Sequence, residues 1–200
     1  MDVTASGPLQ QVTTRFEHEI EKVSGSRFLT TLLPASDPQE VVKAQEQLRA
    51  QHPHSRHVCF AFVGDSESAT RFSDDGEPSK TAGLPMLRVL LGSSLRNTAA
   101  LVTRYFGGVK LGTGGLVRAY TVAVRDAIAL APLTPFVALQ SRTLSCSYAA
   151  EPKVRHWAAH YEVRLTVVQY GALEVRLYLE GAGPQLEAMM NKVEAEGFRP

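Results

Sequence analysis

Twenty residues, Leu101 to Tyr120 (LVTRYFGGVKLGTGGLVRAY), constrain this chain more than any other stretch. An apolar run, Ala99 to Val102, leads into five glycines between Gly107 and Gly115, and helical spacing follows. A strand that turns through glycines into a helix leaves backbone N–H groups unpaired at the helix start. Those donors and the helix dipole suit an anion. The surrounding charge has one sign. From Arg88 to Arg125 there are six Lys or Arg (Arg88, Arg96, Arg104, Lys110, Arg118, Arg125) and no Asp or Glu. The formal net charge of the 200 residues is only +1, so any attraction for a polyanion is local to this segment.

Upstream, Arg27 to Leu33 reads as a strand ended by Pro34. Asp37-Pro38-Gln39-Glu40 is a helix start: Asp caps, Pro fits the first helical position, and Glu follows three residues after the cap. Val41, Ala44 and Leu48 then recur at helical spacing. Val58 to Val63 (VCFAFV) reads as a strand buried on both faces. Ser73 to Thr81 is a polar loop, Pro85 to Leu91 a short helix, Ala99 to Tyr105 a strand and Leu116 to Ala131 a long helix suited to lying on a sheet. Ala131-Pro132-Leu133-Thr134-Pro135 reads as a linker, because both prolines resist helix continuation.

Domains of 1–133 and 134–200 follow. In the second, Phe136 to Tyr148 contains a strand and Pro152 to Tyr161 is a helix. Val163 to Tyr170 and Leu173 to Leu179 form a hairpin through Gly171, and Leu186, Met189, Met190 and Val193 mark a last helix. That order, β-α-β-β-α, is ferredoxin-like in outline. The fold class is α+β, as two α/β sandwich domains.

Cys59 and Cys146 lack CxxC spacing, which predicts reduced thiols and a cytoplasmic setting rather than a disulfide scaffold. The first residues, MDVTASGPLQQVT, show no basic start followed by an apolar core. No apolar run approaches the ~20 residues of a membrane helix.

Around the glycines, backbone amides at Gly107, Gly108, Gly112, Gly114 and Gly115 could approach phosphate, with Arg104, Lys110, Arg118 and Arg125 adding charge. Equally, the glycines could serve only a tight turn and close packing. Neither GxxxxGK[ST] nor GxGxxG is present, and no cofactor is expected. Tyr105 and Phe106 point to opposite sides of a strand, so one is an anchor and the other a stacking contact.

The acidic loop, with Asp74, Asp75 and Glu77, could bind Mg²⁺. Turn chemistry, or bonds from Asp75 and Glu77 to the N–H groups of the next helix or to the basic segment, are the structural readings, and they are preferred. His52, His54 and His57 cluster in sequence, and His156 and His160 lie one helical turn apart. Without HExxH or CxxC no metal is expected there. Cys59 reads as a small core residue, with His57 as the basic neighbour a nucleophile would need.

SDDGEPSKTAGLPML (Ser73 to Leu87) and TRYFGGVKLGTGGLVRAY (Thr103 to Tyr120) resemble the two hallmark motifs of the YigZ/IMPACT family. SRF (Ser26 to Phe28) and RHVCFAF (Arg56 to Phe62) resemble its early strands. The resemblance implies a first domain with the left-handed βαβ fold of domain 2 of a small-subunit ribosomal protein and of domain IV of elongation factor G. It implies a second domain like the ferredoxin-like domains of that factor. Eukaryotic IMPACT is a translational regulator that competes for the activator of a starvation-sensing kinase, and nucleic-acid or ribosome binding is the usual inference for bacterial relatives.

At Lys80 many members of the family carry glycine, so either that position needs no positive φ or the loop differs here; Lys80 could also neutralise Asp74, Asp75 and Glu77. The expected function is regulation of translation by binding RNA, the ribosome or a translation-associated protein. The alternatives are a metal-dependent nucleotide or phosphate-ester enzyme, and a protein-interaction module acting through the second domain.

Overall fold

In the computed structural model, residues 8–66 and 68–196 are described. The chain divides into two α+β units, one ending at Phe136 and the other beginning at Val137.

The first unit contains β1 (Gln10–Val12), β2 (Phe16–Glu19), β3 (Arg27–Pro34), α1 (Pro38–Gln51), β4 (His57–Val63), β5 (Thr70–Ser73), α2 (Gly83–Gly92), β6 (Thr98–Tyr105), α3 (Gly112–Leu130) and β7 (Leu133–Pro135). Five strands form one sheet in the order β2-β3-β6-β4-β5, each neighbouring pair antiparallel. β4 shows why its sequence is apolar without interruption. Val58, Phe60 and Phe62 face α1, with Val41 and Leu48. Cys59, Ala61 and Val63 face the core of α2 and α3, with Met86, Leu90, Ala123 and Ala127. Strand residues alternate between faces, and here both faces are covered. Each large side chain so buried contributes about 1.5–3 kcal/mol.

The predicted start of α1 is present: Asp37 accepts from the Gln39 N–H at 2.7 Å, and the Glu40 carboxylate accepts from the Ser36 N–H at 2.9 Å. α3 differs from expectation. It begins at Gly112, so Gly114 and Gly115 lie inside it rather than before it. Glycine disfavours helix by about 1 kcal/mol per residue, but packing decides the boundary: Leu111 closes over Gly115, where an added β-carbon would stand 3.1 Å from the Leu111 Cβ.

The proline-marked linker is also part of the fold. Leu133–Pro135 pairs antiparallel with β1, and the Phe136 N–H bonds to the Leu9 carbonyl at 2.9 Å. Pro135 is tolerated because it ends an edge strand. β1, β2 and β5 were not anticipated. They are short and mostly polar; β2 and β5 pair antiparallel with their sequence neighbours β3 and β4, while β1 pairs with the distant β7.

The second unit runs β8 (Leu139–Ser147), α4 (Glu151–His160), β9 (Arg164–Tyr170), β10 (Glu174–Ala182) and α5 (Gly183–Ala195), with sheet order β8-β10-β9. The β-α-β-β-α order is as read from the sequence. Val175, Leu177 and Leu179 point inward onto Val154, Trp157, Leu186 and Met189.

Candidate functional site

The register across the sheet places Phe28 of β3, Arg104 of β6 and His57 of β4 side by side. Arg104 shares a face with Ala100 and Val102, so its guanidinium enters the core beneath α3 and is only 5% exposed. The loop before α2 supplies its counter-charge. Glu77, 8% exposed, accepts from Arg104 Nη1 at 2.6 Å and from the Tyr120 hydroxyl of α3 at 2.8 Å. His57 Nε2 faces the same carboxylate at 3.9 Å. The other ring nitrogen meets the Asp75 backbone carbonyl at 2.7 Å; a carbonyl can only accept, so Nδ1 carries the proton. The Cys59 thiol donates to the Asp74 carbonyl at 3.0 Å and touches the Tyr120 hydroxyl at 3.3 Å.

The acidic loop is therefore internal structure. Asp74 caps α2 from a distance: Oδ1 accepts from the N–H groups of Ala82 at 3.0 Å and Gly83 at 2.8 Å, and Oδ2 from the Lys80 N–H at 2.7 Å. Asp75 accepts from the Val58 N–H at 2.5 Å and pairs with Arg49. All three carboxylates have protein partners. Among the described residues no group of three or more His, Cys, Asp or Glu could hold a metal ion. The N–H capping expected of Asp75 and Glu77 falls instead to Asp74, and pairing with the basic segment falls to Glu77. Lys80 has a φ of 62°, so the left-handed conformation is required there and lysine adopts it. Its backbone N–H, not its ammonium, reaches Asp74.

Over this network lies the glycine turn, whose glycines divide by role. Gly107 is pressed onto the turn before β3: a β-carbon on it would stand 1.9 Å from the Gly25 carbonyl carbon. Its N–H donates to the buried Ser26 Oγ at 3.1 Å. Gly107 and Gly115 therefore serve packing. Gly108 and Gly112 have φ of +91° and +67° and open space where a side chain would be. No side chain caps the start of α3, and its first turn holds no acidic residue. The exposed Lys110 precedes that start. The Arg118 guanidinium folds back to 4.0 Å from where a Gly114 β-carbon would stand.

Two hollows flank Lys110. One, of about 270 Å³, has Glu77 and Arg104 in its floor, walls of Pro78, Phe106, Leu111 and Leu116, and Thr113 at its rim. The other, of about 360 Å³, lies between α3 and the turn before β3, with Arg118 on its border.

Of the ten residues expected to form the basic face, Lys110, Gly108, Gly112, Gly114 and Arg118 share the exposed turn. Arg104 is buried and committed to Glu77. Arg125 pairs with Asp126 at 2.9 Å and lies thirteen residues beyond Gly112, about 20 Å along the helix. Tyr105 is the anchor of the aromatic pair: its hydroxyl meets His52 Nδ1 at 2.7 Å, and Arg27 lies over its ring. Phe106, 43% exposed and flanked by Arg56 and Arg104, is the free ring. His156 and His160 are both exposed on α4.

Pairing of Glu77 with the basic segment was among the readings, but its burial with Arg104 and Tyr120 was not, although a signal for that exists. Arg104 continues the alternation Ala100, Val102 on a strand buried on both faces, and a charge in that position demands a buried carboxylate.

Burial, together with the neighbouring carboxylates, pushes the Cys59 thiol far up from its ordinary range, against a smaller opposing effect of its bond to Tyr120. It is a packed thiol, not a nucleophile. Burial, followed by Cys59 and Glu77, pushes the Tyr120 hydroxyl up too. Both are acids that hold their proton more tightly in the folded state. The stability this confers is complete below the unfolded thiol value and declines above it. In a Cys146→Ala background, the free energy of urea unfolding is expected to fall from about pH 8.5 upward. With Cys59→Ala added, the fall starts only near pH ~10, where tyrosine ionises. Superimposable curves for the two proteins would show that Cys59 is solvated.

A family model described as the Impact N-terminal domain matches residues 24–128. The IMPACT family member YigZ of Escherichia coli (strain K12) is 44% identical over 133 residues, covering 64% of this chain and 65% of the relative. The IMPACT family member YvyE of Bacillus subtilis (strain 168) is 46% identical over 113 residues, 56% of this chain and 52% of the relative. The chain thus spans less than two thirds of either of these two. An IMPACT family member of Haemophilus influenzae is 39% identical over 153 residues, 75% of this chain and 73% of the relative. A crystal structure of a hypothetical protein is similar with a TM-score of 0.79 and 31% identity, covering 94% of this chain and 92% of that one.

Proposed function

The chain belongs to the IMPACT family, and from that premise we propose that it is a cytoplasmic regulator of translation that binds RNA, free or in the ribosome, through the turn at the start of α3. One observation carries the reading. The helix start has no side-chain cap and no acidic residue in its first turn, and it stands beside two exposed cations, Lys110 and Arg118. Such a start attracts phosphate. Glu77, engaged by Arg104 and Tyr120, does not compete for these cations from below.

Metal-dependent turnover of a phosphate ester is disfavoured on the same chemistry, because Asp74, Asp75 and Glu77 are all engaged by protein donors. A protein-docking role for the second unit ranks behind RNA binding; the exposed Val168, Tyr170 and Leu173 are what favours it. No helix among the described residues is long and apolar enough to cross a membrane.

Binding to single-stranded RNA is expected to weaken with salt, with a slope of about −0.7 per phosphate contact. The double substitution Lys110→Ala, Arg118→Ala is expected to weaken RNA or ribosome co-sedimentation at low salt by tenfold or more and to make the salt slope shallower by about 1–2. Both positions are exposed, so the fold should hold. Unchanged co-sedimentation across the salt series would remove this face from consideration.

A further inference from the structure

The edges of the two larger sheets are not alike. β2 and β5, which bound the five-stranded sheet, have four residues each. β9, at one edge of the second unit's sheet, carries a bulge: Val167 pairs with Leu177 and Gln169 with Arg176, which leaves Val168 unmatched. Short strands and bulges both discourage a further strand from adding. β8, at the other edge, has neither device. Its nine residues pair with β10 without a shift in register, and they include no proline, lysine or carboxylate. We propose that this edge pairs antiparallel with β8 of a second copy of the chain, about a two-fold axis at Thr143, so that two three-stranded sheets become one.

Two hydrogen bonds show which backbone groups point away from β10. Arg142 Nη1 donates to the Ser141 carbonyl at 3.0 Å, and the Ala150 N–H donates to the Ser147 carbonyl at 3.0 Å. Both carbonyls are therefore on the free side of the strand. In an antiparallel pair the bonding direction alternates along the chain, so the N–H and C=O of Leu139, Thr143 and Ser145 face the same way. Arg142 covers the Ser141 carbonyl only with an exposed side chain, which can rotate off it.

The strand matches itself. With the axis at Thr143, outward-facing residues meet outward-facing residues: Thr143 meets Thr143 of the second copy, and Ser141 meets Ser145. Each such pair can exchange two backbone bonds. The side chains brought together are hydroxyls, a favourable cross-strand combination. The one charge in the strand, Arg142, falls opposite Leu144 of the second copy, so like charges are not juxtaposed. The ends match as well. Leu139, 60% exposed, arrives where the second copy presents Tyr148, 44% exposed. This surface is separate from the cationic turn at the start of α3, and the pairing stands or falls independently of RNA binding.

Sedimentation equilibrium of the full chain is expected to show a reversible monomer–dimer equilibrium. Thr143 is exposed, so Thr143→Lys and Thr143→Glu should leave the circular dichroism spectrum and the melting temperature close to wild type. Each sets like charges against one another across the axis and should weaken dimerisation at least tenfold. Mixed in equal amounts, the two variants should recover the dimer, because a lysine then meets a glutamate. A wild-type chain that stays monomeric up to millimolar concentration overturns the proposal and leaves the edge to some other partner. A dimer that both variants leave intact overturns it, and so do variants that remain monomeric when mixed.

Discussion

Replacing Gly107 by alanine is expected to destabilise the first unit by more than about 4 kcal/mol, a loss reserved for a few mechanisms. The new methyl carbon would stand 1.9 Å from the Gly25 carbonyl carbon, 2.1 Å from the Ser26 nitrogen and 2.3 Å from the Gly25 carbonyl oxygen. All three are backbone atoms, so no side chain can rotate away. Either the glycine turn lifts off the start of β3 or the turn at Gly25 moves. Both break the bond from the Gly107 N–H to Ser26 Oγ.

Gly108→Ala supplies the comparison. It has a φ of +91° but no atom within 4 Å of an added β-carbon, so it carries only backbone strain, about 1–2 kcal/mol. Urea unfolding of the two variants separates contact from conformation. Equal losses would mean that the two turns are not in close contact.

The second large effect is expected from Glu77→Ala. Arg104 then keeps its charge in the core with its carboxylate gone, and the Tyr120 hydroxyl loses its acceptor. Breaking a buried ion pair on one side costs about 3–5 kcal/mol, because an uncompensated charge remains. Removing both charges, as Glu77→Leu with Arg104→Leu, should cost less than the sum of the two single changes, because neither charge is then stranded. Glu77→Gln keeps an acceptor for both donors and should lie between wild type and Glu77→Ala. Thermal melting of these variants gives the coupling directly. A loss below about 1 kcal/mol for Glu77→Ala would place the pair in solvent, where ion pairs are weak.

These two sites also mark where sequence reading stopped. The glycines between Gly107 and Gly115 announced a strand-to-helix turn, but their individual roles depend on what lies opposite. Gly107 faces Gly25, eighty-two positions earlier, and only the paired strands β3 and β6 bring the two together. Gly108, next in the chain, faces nothing. Arg104 and Arg118 looked alike as basic residues. Strand alternation turns the first inward to Glu77, and the helix leaves the second outside.

Arg125 was grouped with them by sign of charge alone, yet helical rise carries it about 20 Å from the turn. The acidic loop was legible as turn chemistry, but the division of labour among Asp74, Asp75 and Glu77 was not. Asp74 bonds to N–H groups a few residues downstream, but Asp75 and Glu77 find their partners in α1, β4, β6 and α3, which local spacing cannot reach.

Local chemistry was enough to determine what recurs at short range: the capped start of α1 at Asp37, the doubly buried β4, the β-α-β-β-α order of the second unit and the motifs that mark the family. Periodicity and capping act over a few residues, so they can be read in one dimension. Folding in three dimensions decided which glycines pack and which lie open, which arginine is a core cation, and that Leu133–Pro135 is a strand. Each of these depends on an atom contributed by a remote part of the chain, and burial changes what a charge or a missing side chain can do.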